Sequence, residues 1–585
     1  MKSGLYLLAG LDGSPPTERD RRVMEFAPGT PLTGPAAMVR IVDPSADGAH
    51  SGVASSDGRL LAFAGYLDAP EALRLRLDEP GIAPAALVLA AIRKWGEAAF
   101  SRLPGEWSLA LVEPGRALLA SSPNLRDPMY FASDGHRLAV APSMAVLSDL
   151  DWVGDGIAAL PMLQSMSGWI FRRELEGRTW LEKIRRVDHG TSVEVTRAEQ
   201  RRSVWYHPSA EAPWKGDFVE AIAELEARSR RVVAAHLRRH GDVAVMLSGG
   251  LDSSTLAWLV ATELGAGQRA TAVTSVKPSG GALTDESAFA RLAASHLGLP
   301  LVELNPGPDP SVYRPSHRTM ASREIPTAGP RHYLYEALYD AAAAAGATGI
   351  FDGQLGERSL TRRARTWAPM TALRALREDL RHRRASAVEA PDWPAAGMQV
   401  MPSASALAQL VSAAGTAPKA LASEPIHWPG APMGIPRGAE KQGRIATAAP
   451  GLPLRSILAF RDPELVAFVA SLPGRFTHAT GLPRSLARAM IADNMPAEIV
   501  RRTSKAPFAP DYYERLAAQS AEARLRIPTH RKNGADEWLD LDWLDANLAR
   551  IGTRKVPPPT AFRIQETATA AEFISWWRTE RRLSD

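Results

Sequence analysis

Seven consecutive residues, Ser248-Gly249-Gly250-Leu251-Asp252-Ser253-Ser254, concentrate groups that could do chemistry. They follow an apolar, partly β-branched run, Val243-Ala244-Val245-Met246-Leu247, and lead into a segment of helical spacing, residues 253–264. A strand that turns sharply into a helix needs glycine at the bend. The N–H groups at the start of that helix then face outward, toward an anion. Ser248, Ser253 and Ser254 add hydroxyl donors. An aspartate is out of place opposite a bare phosphate, but Asp252 fits one that arrives with Mg²⁺, which is held by carboxylate and phosphate oxygens together. The lysine and spacing of G-x-x-x-x-G-K-[ST] are absent, so this is not the loop of kinases and GTPases. The expected chemistry is phosphate binding with magnesium.

The elements that must hold this loop are legible around it. From about residue 218, helical spacing (218–238, 253–264, 286–297, 333–345) alternates with short apolar strands (243–247, 270–276, 301–304, 349–351). Such alternation predicts a parallel sheet covered on both faces. Residues 1–205 differ. Short apolar runs at 5–9, 52–54, 60–66, 107–112, 117–120, 129–132, 137–141 and 191–196 are separated by turns, with one helix at 85–95, which predicts a two-sheet sandwich. Residues 358–450 are rich in arginine and proline and read as an insertion of helices and loops. Helices follow at 463–471, 484–494, 512–526 and 568–582, with Trp538, Trp543, Trp576 and Trp577 as core anchors.

Composition sets outer limits. The chain has 585 residues, 45% apolar and 23% charged, with a net charge of only +5, so a nucleic-acid partner is not expected. The amino-terminal apolar run is too short for a signal peptide. No stretch reaches the roughly 18–20 apolar residues of a membrane span, so a cytoplasmic protein without a membrane partner is expected. The count of cysteines is zero, which excludes disulfides, thiolate metal sites and a cysteine nucleophile within this chain.

The loop at 248–254 resembles the pyrophosphate-binding loop of the ATP pyrophosphatase superfamily, and within it the chain is similar to the asparagine-synthetase family. Further matches are spread along the chain. Phe351-Asp352-Gly353-Gln354-Leu355-Gly356-Glu357 falls where the family has a second acidic loop, S-G-E-G-x-D-E, which puts Glu357 at a Mg²⁺-ligating aspartate. Here Asp352, Gln354 and Glu357 stand where the family has serine, glutamate and aspartate. The segment Pro496-Ala497-Glu498-Ile499-Val500-Arg501-Arg502-Thr503-Ser504-Lys505-Ala506-Pro507-Phe508 resembles the stretch that carries the catalytic lysine, with Lys505 as the match. Asp285-Glu286 opens the helix after the second strand, where the acids could cap the helix or face the nucleotide. Phe63-Ala64-Gly65-Tyr66-Leu67-Asp68, Leu103-Pro104-Gly105-Glu106-Trp107-Ser108-Leu109 and Asp127-Pro128-Met129-Tyr130 look like the family's glutamine-hydrolysing domain.

The resemblance implies a degenerate αββα glutaminase-like domain at 1–205 and a doubly wound α/β synthetase domain at 206–585. It implies ATP and Mg²⁺ as ligands. ATP contacts are expected at Leu247, Ser248, Gly249, Gly250, Leu251, Asp252, Ser253, Ser254, Ser275 and Gly353, metal ligands at Asp252 and Glu357, and catalysis at Lys505, Asp252 and Glu357. Glutamine hydrolysis in the family needs a first-residue cysteine, and position 2 here is Lys2. The amine is therefore expected on the substrate, as in family members that close rings. The long synthetase half and the D-G-x-x-G-E-like loop favour a lasso-peptide cyclase acting on a leaderless core peptide, alongside a leader peptidase and a leader-recognition protein. The rivals are a β-lactam or carbapenam synthetase-like enzyme, an RNA-modifying enzyme with the same loop, and a binding-only relative.

Overall fold

The computed structural model describes the chain except residues 1, 3, 26–31, 34–35, 43–49, 126, 167–176, 208–210, 278–284, 355, 357–358, 361–398, 414–453, 504–508, 554–555 and 582–585. Among the described residues, twelve strands precede residue 205: β1 (Gly4–Gly10), β2 (Leu32–Thr33), β3 (Ala37–Val42), β4 (Gly52–Ser56), β5 (Arg59–Leu67), β6 (Gly105–Glu113), β7 (Arg116–Ser121), β8 (Met129–Ser133), β9 (Arg137–Ala141), β10 (Arg185–Val187), β11 (Thr191–Thr196) and β12 (Gln200–Val204). They form two six-stranded antiparallel sheets, in the orders β10-β8-β9-β1-β3-β2 and β12-β11-β7-β6-β5-β4.

Alternation along each strand builds the layers, because successive side chains leave opposite faces. Leu5, Leu7 and Ala9 of β1 meet Ala62 and Ala64 of β5 between the sheets. Leu61 and Phe63 of β5 turn outward onto the helix Pro84–Trp95, against Leu87, Val88 and Ala91. Tyr6 and Leu8 of β1 turn the other way, into a core shared with the carboxy-terminal helices, including Phe573 and Trp577 of the helix Pro558–Thr579. Each sheet is thus apolar on both faces. The expected sandwich is observed, with β2, β3, β10 and β12 in addition.

Five further strands, β13 (Val243–Met246), β14 (Ala270–Ser275), β15 (Leu301–Leu304), β16 (Gly349–Phe351) and β17 (Arg455–Ile457), form a wholly parallel sheet in the order β15-β14-β13-β16-β17. The chain runs outward from β13 to β15, then returns to β16 on the other side. The order therefore reverses between β13 and β16, the place where open α/β sheets bind ligands. Val245, Ala272 and Phe351 face one core, while Ala244, Val273 and Ile350 face the other.

Several expected helices shift at their ends. The helix expected at 484–494 spans only Ser485–Met490, and the one expected at 568–582 spans Pro558–Thr579. Trp538, Trp576 and Trp577 are buried, and Trp543 packs partly buried beside them. Most of the arginine- and proline-rich stretch 358–450 lies outside the described residues. Among the described residues, no helix is long and apolar enough to cross a membrane.

Buried charges stitch the sandwich to the parallel-sheet body. Glu324, 1% exposed, accepts hydrogen bonds from the Met144 N–H at 2.7 Å and from the Ser143 hydroxyl, and pairs with Lys2 at 2.8 Å. The Trp180 indole donates to the Glu324 carbonyl at 2.9 Å and stacks edge-on against Trp577, 4.6 Å between centroids. Arg455 of β17 pairs with Glu106 of β6, and Arg239 pairs with Asp68, both guanidinium groups lying over the Tyr66 ring. Removing one member of a buried ion pair strands the other, at a cost of about 3–5 kcal/mol. Glu324→Ala should therefore lower the unfolding temperature by several degrees in calorimetry, and Glu324→Gln by less, since an amide oxygen still accepts from Met144. An unchanged transition in the alanine variant would show that the seam does not depend on this carboxylate.

Candidate active site

The run after β13 folds as its composition requires. The Leu247 N–H donates to the Val273 carbonyl at 2.9 Å, which extends the pairing to the last residue before the turn. Gly249 then adopts φ +67°, and a Cβ there would run into the backbone and side chain of Phe289. The turn can therefore lie flat on the next helix, Ser287–Leu297, only without a side chain. The helix Leu251–Glu263 starts at Gly250 with no side-chain cap. Inside the turn, the Ser248 hydroxyl accepts from the Gly250 N–H at 3.3 Å and lies 3.1 Å from the Ser253 hydroxyl. The Ser253 Oγ also accepts from the Ser248 N–H at 3.2 Å.

A cavity of about 480 Å³ opens over this turn, at the carboxyl ends of β13, β14 and β16. Leu247, Ser248, Gly250, Leu251, Asp252, Ser253, Ser275 and Gly353, all expected at a nucleotide site, lie on its wall. Two expected residues do not. Gly249 is turned toward Phe289 and shapes the bend instead. Ser254 is set back from the cavity: its side chain is fully buried in the helix, and its N–H donates to the Gly250 carbonyl at 2.9 Å. One helical turn past the bend, a side chain points into the core rather than at a ligand.

The second loop closes on the first. A Cβ at Gly353 would lie 3.1 Å from the Ser253 nitrogen, and one at Gly356 would collide with the Asp252 carboxylate. The loop 352–356 therefore reaches Asp252 by glycine approach. Asp352 accepts from the Gln354 N–H at 3.0 Å and from its side-chain amide at 2.7 Å. Glu357 and Lys505 lie outside the described residues. Arg502 and Thr503, just ahead of Lys505 in sequence, line the cavity.

Arginines supply the opposite wall, and sequence reading did not single them out for it. Arg484 donates to Asp252 at 3.2 Å from a left-handed backbone, φ +66°. A non-glycine residue there costs about 1–3 kcal/mol and persists where the surroundings impose it. Arg502 donates to the Gly249 carbonyl at 2.9 Å, pairs with Glu286 and stacks on Phe289, 3.9 Å from its centroid. Arg488 forks onto the carbonyls of Pro483 and Arg502, each at 2.8 Å. Burial, then the neighbouring Arg484, pushes its pKa down. The two acids ahead of the third helix separate. Asp285 accepts from the N–H groups of Lys277 and Ser287; burial pushes its carboxyl up, but these bonds outweigh it and hold the pKa below the usual range. Glu286 faces the cavity.

The wall can hold a polyphosphate. It joins helix-start amides and arginines, which bind anions, to carboxylate and hydroxyl oxygens, the donors magnesium takes. Among the described residues no cluster of three or more metal-binding side chains occurs. Magnesium needs only one or two carboxylates when phosphates and water complete its shell, so Asp252 with the hydroxyls around it fits.

These features make a candidate anion-binding site at the switch point of a parallel sheet. Residues 224–421 and 440–555, more than half of the chain, match the asparagine synthase family. The chain belongs to that family, whose members form amide bonds at the expense of ATP. A curated relative, Amidase chry2 of Gibberella zeae, is 26% identical over 235 residues, covering 36% of this chain; the chain spans about a third (33%) of that relative's length. Two solved structures overlap more loosely. A glutamine phosphoribosylpyrophosphate amidotransferase from B. subtilis shows 13% identity over 62% of this chain and 77% of its own, with a TM-score of 0.23. A glutamine aminotransferase class-II domain protein from Silicibacter pomeroyi shows 11% identity over 34% of this chain and 92% of its own, with a TM-score of 0.21.

The glycine approach at position 356 can be tested. Overpacking costs about 1–3 kcal/mol, here directed onto Asp252. Gly356→Ala should weaken Mg·ATP binding by roughly tenfold or more while leaving the unfolding temperature within a few degrees of wild type. Calorimetric titration reads the first and thermal denaturation the second; unchanged affinity would detach this loop from the nucleotide.

Proposed function

We propose that this protein is a lasso-peptide cyclase. It adenylates an Asp or Glu side chain of a leaderless core peptide and joins that carbonyl to the peptide's own terminal amine. The observation that carries the reading is the meeting of two loops at Asp252 in a chain of this family that has no cysteine. The carboxyl-activating site is built, whereas the thiol that would release ammonia from glutamine is missing. The amine must then come from outside the chain, and a substrate that carries its own satisfies this most simply.

The residues divide the work. The amides and hydroxyls of the turn at 248–253 hold the β- and γ-phosphates, with Arg484 on the developing pyrophosphate. Asp252, with Glu357, would hold magnesium, which neutralises phosphate charge when bound. A carboxylate oxygen of the peptide attacks the α-phosphorus, and the bond to the β-phosphate oxygen breaks, releasing pyrophosphate. The terminal amine nitrogen then attacks the acyl carbon, the bond to AMP breaks, and the amine gives up a proton. Lys505, two positions after the cavity-lining Thr503 in sequence, supplies positive charge as the acyl oxygen becomes anionic. Holding amine and acyl group together lowers the barrier by roughly 7–11 kcal/mol. Residues 1–205 form the degenerate glutaminase-like domain and 206–585 the synthetase domain. A leader peptidase and a leader-recognition protein supply the core peptide.

The test combines purified protein, ATP, Mg²⁺ and leaderless peptides bearing Asp or Glu near the amino terminus. Pyrophosphate release and loss of one water from the peptide, read by mass spectrometry, are expected together. Asp252→Ala and Lys505→Ala should each cut both by roughly a hundredfold or more, the scale of removing a charge-stabilising group. Wild-type turnover in both variants would remove these residues from the mechanism.

A further inference from the structure

We propose that the Tyr335 hydroxyl donates a hydrogen bond to the acyl oxygen of the activated substrate, and that Gln354 and Asp352 hold it there. This rests on the adenylating reading above.

The helix His332–Ala344 presents one side to the cavity: Arg331, just ahead of it, then Tyr335 and Leu338, at spacings of four and three. Those spacings share one face of a helix. Tyr335 reaches the second loop, where its oxygen accepts from the Gln354 side-chain nitrogen at 2.8 Å. The same nitrogen donates to Asp352 at 2.7 Å. An ionised carboxylate only accepts, so Asp352 fixes which end of the Gln354 amide faces inward. Both amide hydrogens are then engaged, one on Asp352 and one on the phenol oxygen. The Tyr335–Gln354 bond uses an oxygen lone pair of the phenol and not its proton.

The phenol is also placed near the chemistry. Gly353, next to Gln354, abuts the Ser253 nitrogen, and Gly356 abuts Asp252. The loop that orients Tyr335 is thus the one pressed against the phosphate-binding turn. Burial, then the Asp352 charge, pushes the phenol pKa well above its ordinary value, so Tyr335 stays neutral and acts as a donor rather than a base. When an amine adds to the acyl carbon, the carbonyl oxygen gains negative charge, and a fixed neutral donor stabilises it. Tyr335 would be a catalytic residue, whereas Gln354 and Asp352 position it.

The test uses the full chain and three stable compounds: β-aspartyl- and γ-glutamyl-sulfamoyl adenosine, which mimic the two possible acyl-adenylates, and sulfamoyl adenosine, which lacks the acyl group. Wild-type protein should bind at least one acyl compound more tightly than the parent. Tyr335→Phe should weaken that compound by roughly ten- to a hundredfold, the range for a hydrogen bond to a polar or charged group, and leave the parent unchanged. Gln354→Leu should show the same selective loss to a smaller degree, because the phenol remains but loses its anchor. Equal acyl affinity in wild type and Tyr335→Phe would overturn the proposal. So would a loss of parent binding as large as the acyl loss, which would make Tyr335 a prop of the nucleotide site. If wild-type protein bound Mg·ATP but gained nothing from an acyl group, this proposal would fall and the nucleotide site would stand. If it bound neither Mg·ATP nor any of the three, the adenylating reading would fall first.

Discussion

The site depends on one guanidinium group. Arg502 grips the turn after β13 at the Gly249 carbonyl, neutralises the buried Glu286 and lies flat on Phe289. Three stretches distant in sequence meet at its fork: the turn, the helix Ser287–Leu297 and the segment ending at Thr503. A flat, delocalised fork can bond a carbonyl and a carboxylate while stacking on a ring; an ammonium cannot. Glu286 and Arg502 are 8% and 5% exposed at their side chains, so either charge left alone would be strongly unfavourable. Gly249 completes the arrangement, because any side chain there would push the turn off Phe289. The outward-facing amides exist in that orientation because this clamp fixes the backbone behind them.

What could be read in advance follows from what is local. The short apolar run 5–9, which is β1, and the apolar strand that ends in two glycines are patterns within a few residues, and both were legible. The arginines were not. Arg484 meets Asp252 across 232 positions and Arg502 meets Glu286 across 216, and nothing nearby separates them from the other Lys and Arg residues, 69 in all. The left-handed Arg484, following Gly481-Leu482-Pro483, is the one local sign of a constrained turn. Strand β17 was missed because its three residues, Arg455-Ser456-Ile457, open on a buried charge, and the acids that meet it, Glu106 and Asp127, come from the distant sandwich. The helix Pro558–Thr579 starts ten residues before the expected position 568, with prolines at its head. In a first turn their missing N–H has no partner to lose.

The sandwich poses a separate question: what about 200 residues that line no part of the candidate site contribute to the molecule. The packing answers it. The outer face of the first sheet is not a surface, because Tyr6, Leu8, Met38 and Tyr130 share one core with Leu338, Ile350 and Trp577. Arg455 and Arg239, both nearly fully buried, find their counter-charges on β6 and just past β5. Deleting the sandwich would expose that core and strand those charges. The seam alone gives it a structural role.

The same reasoning bears on how the cavity is charged before any ligand enters. Asp252 and Glu286 each face an arginine of the opposite wall, Arg484 at 3.2 Å and Arg502 at closer range. The two pairs differ in kind. Arg502–Glu286 is buried and reinforced by a carbonyl and a ring. Arg484–Asp252 is partly open, with side chains 23% and 28% exposed, so solvent screens it and little holds it closed. A polyphosphate offers Arg484 a more highly charged partner with several acceptor oxygens. Under the proposed adenylating function it would trade the carboxylate for phosphate, leaving Asp252 to face the cation that accompanies the phosphates. One pair thus fixes the geometry and the other can exchange, and this division lets a rigid turn accept a ligand that carries charges of both signs.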